Sequence, residues 1–145
     1  MRSRRPSAGP APRPASPPPD LGQQVVLYDE DCGFCKWSLD KILAWDRRRT
    51  LRPVAIQSAE GQRLLAGVPA DRRLDSFHLV TREGELRSGG IAAPPLVAEL
   101  PAGRPLAAVF RTFPKTTDRA YRFVAEHRDW FARRLGIDAS CTLRR

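Results

Sequence analysis

Cysteine is scarce in this 145-residue chain. There are three, at positions 32, 35 and 141, and so few exclude the cross-linked framework of a small secreted protein. Lysine is equally rare: the net charge of +9 comes from 22 Arg and 3 Lys, with 16 acidic residues set among them. Segments such as Asp71-Arg72-Arg73-Leu74-Asp75 mix both signs. The one-signed basic stripe of a nucleic-acid binder is therefore missing, and nucleic acid is not the expected partner. No stretch approaches ~18 uninterrupted apolar residues, so no spanning helix is expected. The charged start Met1-Arg2-Ser3-Arg4-Arg5 leads into Pro/Ala/Ser/Arg-rich sequence instead of the apolar core of a signal peptide. A cytoplasmic protein is the expectation, and in a reducing compartment two close cysteines point to redox or metal chemistry.

Large apolar residues are nearly absent from residues 1–20, which hold seven of the 14 prolines. Such a segment cannot offset the entropy of its own ordering. Residues 1–22 are expected to be a disordered extension and 23–141 a single domain, since the length suits one core but not two.

Within that domain the apolar run from Gln24 to Tyr28 is continuous, as in a central strand buried on both faces. A helix is expected from Gly33 to about Arg47, with Phe34, Trp37, Leu39, Ile42, Leu43 and Trp45 as its apolar positions. Leu51–Ile56 reads as a strand in which Pro53 points to an outer position or a strand end, and Ser58 caps a short helix behind it. This order predicts a parallel βαβ start with a right-handed crossover. Ser76–Thr81 and Glu85–Ser88, joined through Glu83-Gly84, read as a hairpin. Further helices are expected over Gly89–Leu100, with Pro94-Pro95 inside or splitting it, and over Pro105–Phe113, ending at Pro114. A last long one over Thr117–Leu135 carries an apolar face of Ala120, Phe123, Val124, His127, Trp130, Phe131 and Leu135.

The chemistry gathers at Asp29-Glu30-Asp31-Cys32-Gly33-Phe34-Cys35, between the first strand and the first helix. Residues i and i+3 of a helix share a face, with Cα atoms roughly 5 Å apart, inside the ~4.4–6.8 Å range a disulfide accepts. A helix start favours a thiolate, and Cys-X-X-Cys thiols there fall from ~8.5 to as low as ~3.5–7.5. Lys36 is placed to reach back over Cys32, while Asp29, Glu30 and Asp31 oppose the thiolate. The balance is open; Cys32 is the more reactive sulfur in either case. Asp29, closing the strand beside the pair, is the candidate for moving the proton of Cys35, with a turn or capping carboxylate as its other reading.

The remaining candidates read as structural. Trp37 suits core packing, His78 an ordinary sheet position, and His127 a hydrogen-bonded edge of the core. Cys141 reads as a bystander, with a second resolving thiol or an intermolecular link as its alternatives. A zinc site from Cys32, Cys35, Cys141 and His127 lacks the compact paired spacing of structural zinc, and Lys36 excludes the haem-attachment pattern. No cofactor and no metal are expected.

The strand order with Cys-X-X-Cys after the first strand resembles the thioredoxin superfamily. More closely, the chain resembles the DCC family (DUF393) of thiol-disulfide oxidoreductases. The matching residues are Tyr28-Asp29 with Cys32-Gly33-Phe34-Cys35, Trp45-Asp46-Arg47, Asp75-Ser76, Glu83-Gly84, Ser88-Gly89-Gly90-Ile91-Ala92, Pro114, and Tyr121-Arg122-Phe123-Val124-Ala125-Glu126-His127-Arg128. Two departures stand out: Glu30 where many members carry a small residue, and Asp75-Ser76 where thioredoxins place a proline. The resemblance implies an α/β, thioredoxin-like mixed four-stranded sheet (βαβαββα) with additional C-terminal helices. It also implies dithiol/disulfide exchange by Cys32 and Cys35 with a protein or small-molecule disulfide, and an unidentified reductant. The competing reading is a thioredoxin-like binding module whose cysteine pair is structural or vestigial.

Overall fold

Val25, Val26 and Leu27 alternate between the two faces of strand β1 (Gln24–Tyr28), and all three are buried. A strand covered on both sides must lie inside its sheet. The computed structural model, which describes residues 22–137, places it there. The order is β2-β1-β3-β4, with β2 at Leu51–Ala55, β3 at His78–Val80 and β4 at Leu86–Ser88. β1 pairs in parallel with β2 and antiparallel with β3, and β3 pairs antiparallel with β4. Pro53 stands in β2, an edge strand, where a missing N–H costs no ladder bond. The expected extension, apart from Gly22, and Cys141 lie outside the described residues.

Two apolar clusters sandwich the sheet. One joins Val26 and Leu79 to Leu39 and Leu43 of helix α1 (Gly33–Trp45) and Leu96 of α3 (Ala93–Glu99). The other joins Val25, Leu27, Val54 and Val80 to Ile56 and to Leu65, which follows α2 (Ala59–Leu64). The fold is thus a mixed four-stranded sheet with six α-helices among the described residues, of the thioredoxin-like α/β kind. A 3₁₀ turn at Gly89–Ala92 leads into α3, whose first turn takes Pro94-Pro95, where no intrahelical N–H bond is lost.

The C-terminal part departs from expectation. Pro114 ends one helix, as expected, but it also opens the next: α4 (Gly103–Thr112) is followed directly by α5 (Pro114–Glu126), which takes the proline in its first turn and begins ahead of the expected Thr117. The long helix expected through Leu135 breaks at His127, beyond which α6 (Arg128–Leu135) runs separately. Its supposed apolar face is largely uncovered, for Phe123, Val124, Trp130 and Leu135 are exposed. His127 is exposed as well. It is hydrogen-bonded, as expected, through Nδ1 to the Phe123 carbonyl at 2.7 Å, but it lies outside the core. Trp45 and Trp37 also keep part of their surface, so neither is plain core packing.

Gly90 sets how closely α5 approaches the sheet. A Cβ there would lie 2.6 Å from the Asp118 Cα, which is why the turn after β4 needs the bare backbone. That contact fixes the helix carrying Tyr121 and leading to Arg128.

Candidate active site

Cys32 is itself the N-cap of α1. Its backbone is extended (φ −92°, ψ 106°) and its sulfur accepts the Cys35 N–H at 3.2 Å. The cap role therefore falls to the reactive atom instead of to Asp29, and it satisfies one of the orphan N–H groups of the helix start. The Cys35 thiol also donates to the Cys32 sulfur, so both bonds favour negative charge there. Against partial burial and the Asp29 carboxylate, they hold Cys32 down at about 6, well below an ordinary thiol, with the Arg128 guanidinium assisting. Cys35 moves the other way. The bond it gives to Cys32, its own burial and the neighbouring sulfur push its thiol far up. The balance left open by sequence thus falls to the thiolate.

Asp29 directly follows β1 and turns the chain into the motif. Its Oδ1 accepts from the Asp31 N–H at 3.0 Å and from Gln57 Nε2 at 2.6 Å. Gln57 completes the clasp by accepting the Glu30 N–H at 3.2 Å. The acidic turn is thereby tied to the end of β2, a role no local pattern around Gln57 announces. Among the described residues outside glycine, positive φ occurs at Arg49 and Ala102 and not at Glu30, so the turn makes no demand for a small residue there. Asp46, buried after α1, accepts the Thr50 and Leu51 N–H groups at 3.0 and 2.9 Å and the Thr50 hydroxyl at 2.9 Å. It pins the connection into β2.

Arg128, at the start of α6, is the charged residue that sequence reasoning missed. Ninety-six residues beyond Cys32, it reaches the pair by tertiary packing alone, and its charge acts on both sulfurs. An aromatic row holds α6 in place: Phe34 stacks on Trp37 at 6.1 Å and on Phe131 at 6.0 Å, and Trp130 meets Phe131 edge-on at 5.0 Å. Phe34 therefore links the two helices that bear the site's charges.

Asp75, Ser76 and Phe77 line the same cavity as Cys35. The Phe77 N–H donates to the Tyr121 hydroxyl at 3.1 Å, and the two rings meet edge-on at 5.5 Å. His78, on β3, is fully buried and satisfied by Ser88 Oγ at 2.6 Å and the Arg73 carbonyl at 2.9 Å. It is the ordinary sheet residue expected. Among the described residues no group of three or more His, Cys, Asp or Glu side chains is arranged to hold a metal.

Two thiols brought together at a helix start can exchange with a disulfide, and one comparison bears on this pair. A family model described as DCC1-like thiol-disulfide oxidoreductase matches residues 26–134. The chain belongs to this family. The match runs from β1 into α6 and so includes the cysteine pair, Tyr121 and Arg128, giving the DCC1-like domain all the elements that build the site. Neither the curated proteins nor the solved structures yield a match to the chain. No helix among the described residues is long and apolar enough to cross a membrane.

Proposed function

We propose that this DCC1-like protein is a thiol-disulfide oxidoreductase in which Cys32 attacks and Cys35 resolves. The observation that carries the reading is the opposed pair: a sulfur held at about 6 accepting bonds from a neighbour whose own thiol is held protonated. At neutral pH Cys32 is the nucleophile. Its sulfur bonds to one sulfur of a substrate disulfide, and the other leaves as a thiolate that takes up a proton. Cys35 then loses its proton and attacks Cys32, releasing the second substrate thiol. Two electrons have passed to the substrate, and Cys32–Cys35 is left as a disulfide for an external thiol reductant to reopen.

Loss of the Cys35 proton is the step that needs help, because the fold holds that proton firmly. Asp29 lines the same cavity as Cys35, and we assign it the role of receiving the proton. Its bonds to Gln57 and the Asp31 N–H keep it oriented. The reading takes a protein or small-molecule disulfide as substrate and a reducing, cytoplasmic setting.

Single-turnover kinetics test these roles. Asp29→Asn keeps an acceptor for the Gln57 amide and is expected to leave mixed-disulfide formation within about twofold, while slowing resolution by about tenfold or more, within the usual range of general-base effects. Equal resolution rates in the variant and the parent remove Asp29 from the mechanism. Failure of Cys35→Ser to accumulate a mixed disulfide through Cys32 would contradict the exchange chemistry and favour the binding-module reading.

A further inference from the structure

We infer that the apolar cavity beside Cys35 is a specificity subsite, and that it selects disulfides carrying a bulky apolar group, aromatic or branched aliphatic, next to the reacting sulfur. This rests on the exchange reaction proposed above and adds the class of substrate.

The cavity measures about 240 Å³. Pockets that enclose whole small ligands run to roughly 300–1,000 Å³, so this one suits a single side chain or a fragment of similar size. Its floor is Val26, Leu39 and Leu96, all buried core residues, and its rim includes Leu74 and Val124, 43% and 37% exposed. An apolar hollow with an accessible apolar lip favours an apolar guest, since water inside it finds few partners.

The position ties the hollow to the reaction. Asp29, Phe34 and Arg128 line both this cavity and the cleft that holds Cys32, so a group seated in one lies next to the nucleophile in the other. Recognition through main chain is reduced on this side, because the Phe77 N–H is already given to the Tyr121 hydroxyl. Selectivity then falls to what fills the hollow, and burying an aromatic or branched side chain there is the largest gain on offer.

The test uses the full chain, reduced beforehand and mixed with three probes in single turnover: bis(2-hydroxyethyl) disulfide, and the symmetric disulfides of N-acetyl-Cys-Phe-amide and N-acetyl-Cys-Ser-amide. The second-order rate constant for oxidation of the dithiol is expected to be about tenfold higher for the Phe probe than for the Ser probe, equivalent to about 1.4 kcal/mol. In Leu74→Glu and Val124→Glu, both altered at the accessible rim, that ratio is expected to fall toward one. A ratio near one in the unaltered protein overturns the inference, as does a ratio that survives both substitutions. The unaltered protein supplies the first result without any variant, so a folding defect in either cannot mask it. Oxidation by the hydroxyethyl probe reports exchange itself: if it proceeds while the ratio is one, the subsite fails and the exchange chemistry stands.

Discussion

The charge on Cys32 is governed by two residues three positions away, Cys35 after it and Asp29 before it, and by Arg128 in the last described helix. Cys35 is the strongest of them, so its removal matters more than its conservative replacement. Cys35→Ala deletes the thiol donor and is expected to move Cys32 back toward an ordinary thiol, whereas Cys35→Ser keeps a hydroxyl donor and moves it less. Arg128→Gln is expected to lower the alkylation rate of Cys32 at pH 6.5 by on the order of threefold, with Arg128→Lys recovering part of it, because a partly exposed charge acts weakly through water. The rates of iodoacetamide capture, read by mass spectrometry, check both. The linkage to stability has a definite sign. Cys32 is lowered, so the reduced protein gains stability relative to Cys32→Ser as pH rises from about 6 to the unfolded thiol value near ~8.5. Cys35 is raised, so above ~8.5 the unfolded chain loses a proton that the fold retains, and that gain is offset. Denaturant titrations of the reduced proteins are expected to show a difference that grows from about pH 6 to ~8.5 and declines above it.

At the level of elements, what was legible in the sequence was whatever local pattern encodes. The continuous run of β1, the Ser58 cap, the Pro53 edge position and the hairpin at Glu83-Gly84 each carry their own signal, and each stands where it was expected. The cysteine pair was legible for the same reason. Pro114 was legible as the stop of α4 but not as the start of α5, because proline is compatible with both a helix stop and a first helical turn. The break at His127 and the exposure of Phe123 and Trp130 were hidden because helical periodicity shows that an apolar face exists, not that anything covers it. Gln57 and Arg128 reach the site through tertiary contacts and leave no trace in spacing. Two substitutions test how the elements hold the site. Asp46→Ala removes three hydrogen bonds to a buried carboxylate and is expected to cost about 2–4 kcal/mol in denaturant unfolding. Gly90→Ala sets a Cβ against the Asp118 backbone. It is expected to push α5 outward and, by displacing Arg128, to slow alkylation of Cys32 as well as lower stability.

Across the whole molecule, the core lies on the two faces of the sheet, while α5 and α6 contain no buried residue. The nucleophile stands on well-packed structure and one of its charged partners on a thinly anchored helix. Amides of α6 are therefore expected to exchange with solvent faster than those of β1 and β3, and hydrogen exchange on the reduced protein checks this. The exchange chemistry turns on one atom, the Cys32 sulfur, and the pH dependence of its alkylation in the reduced, metal-free protein, alongside Cys35→Ala, reads that atom without intermediaries. The structure predicts alkylation of Cys32 with a midpoint at about 6, moved upward in the variant. A midpoint at or above the ~8.5 of a free thiol, unchanged by loss of Cys35, would contradict the account.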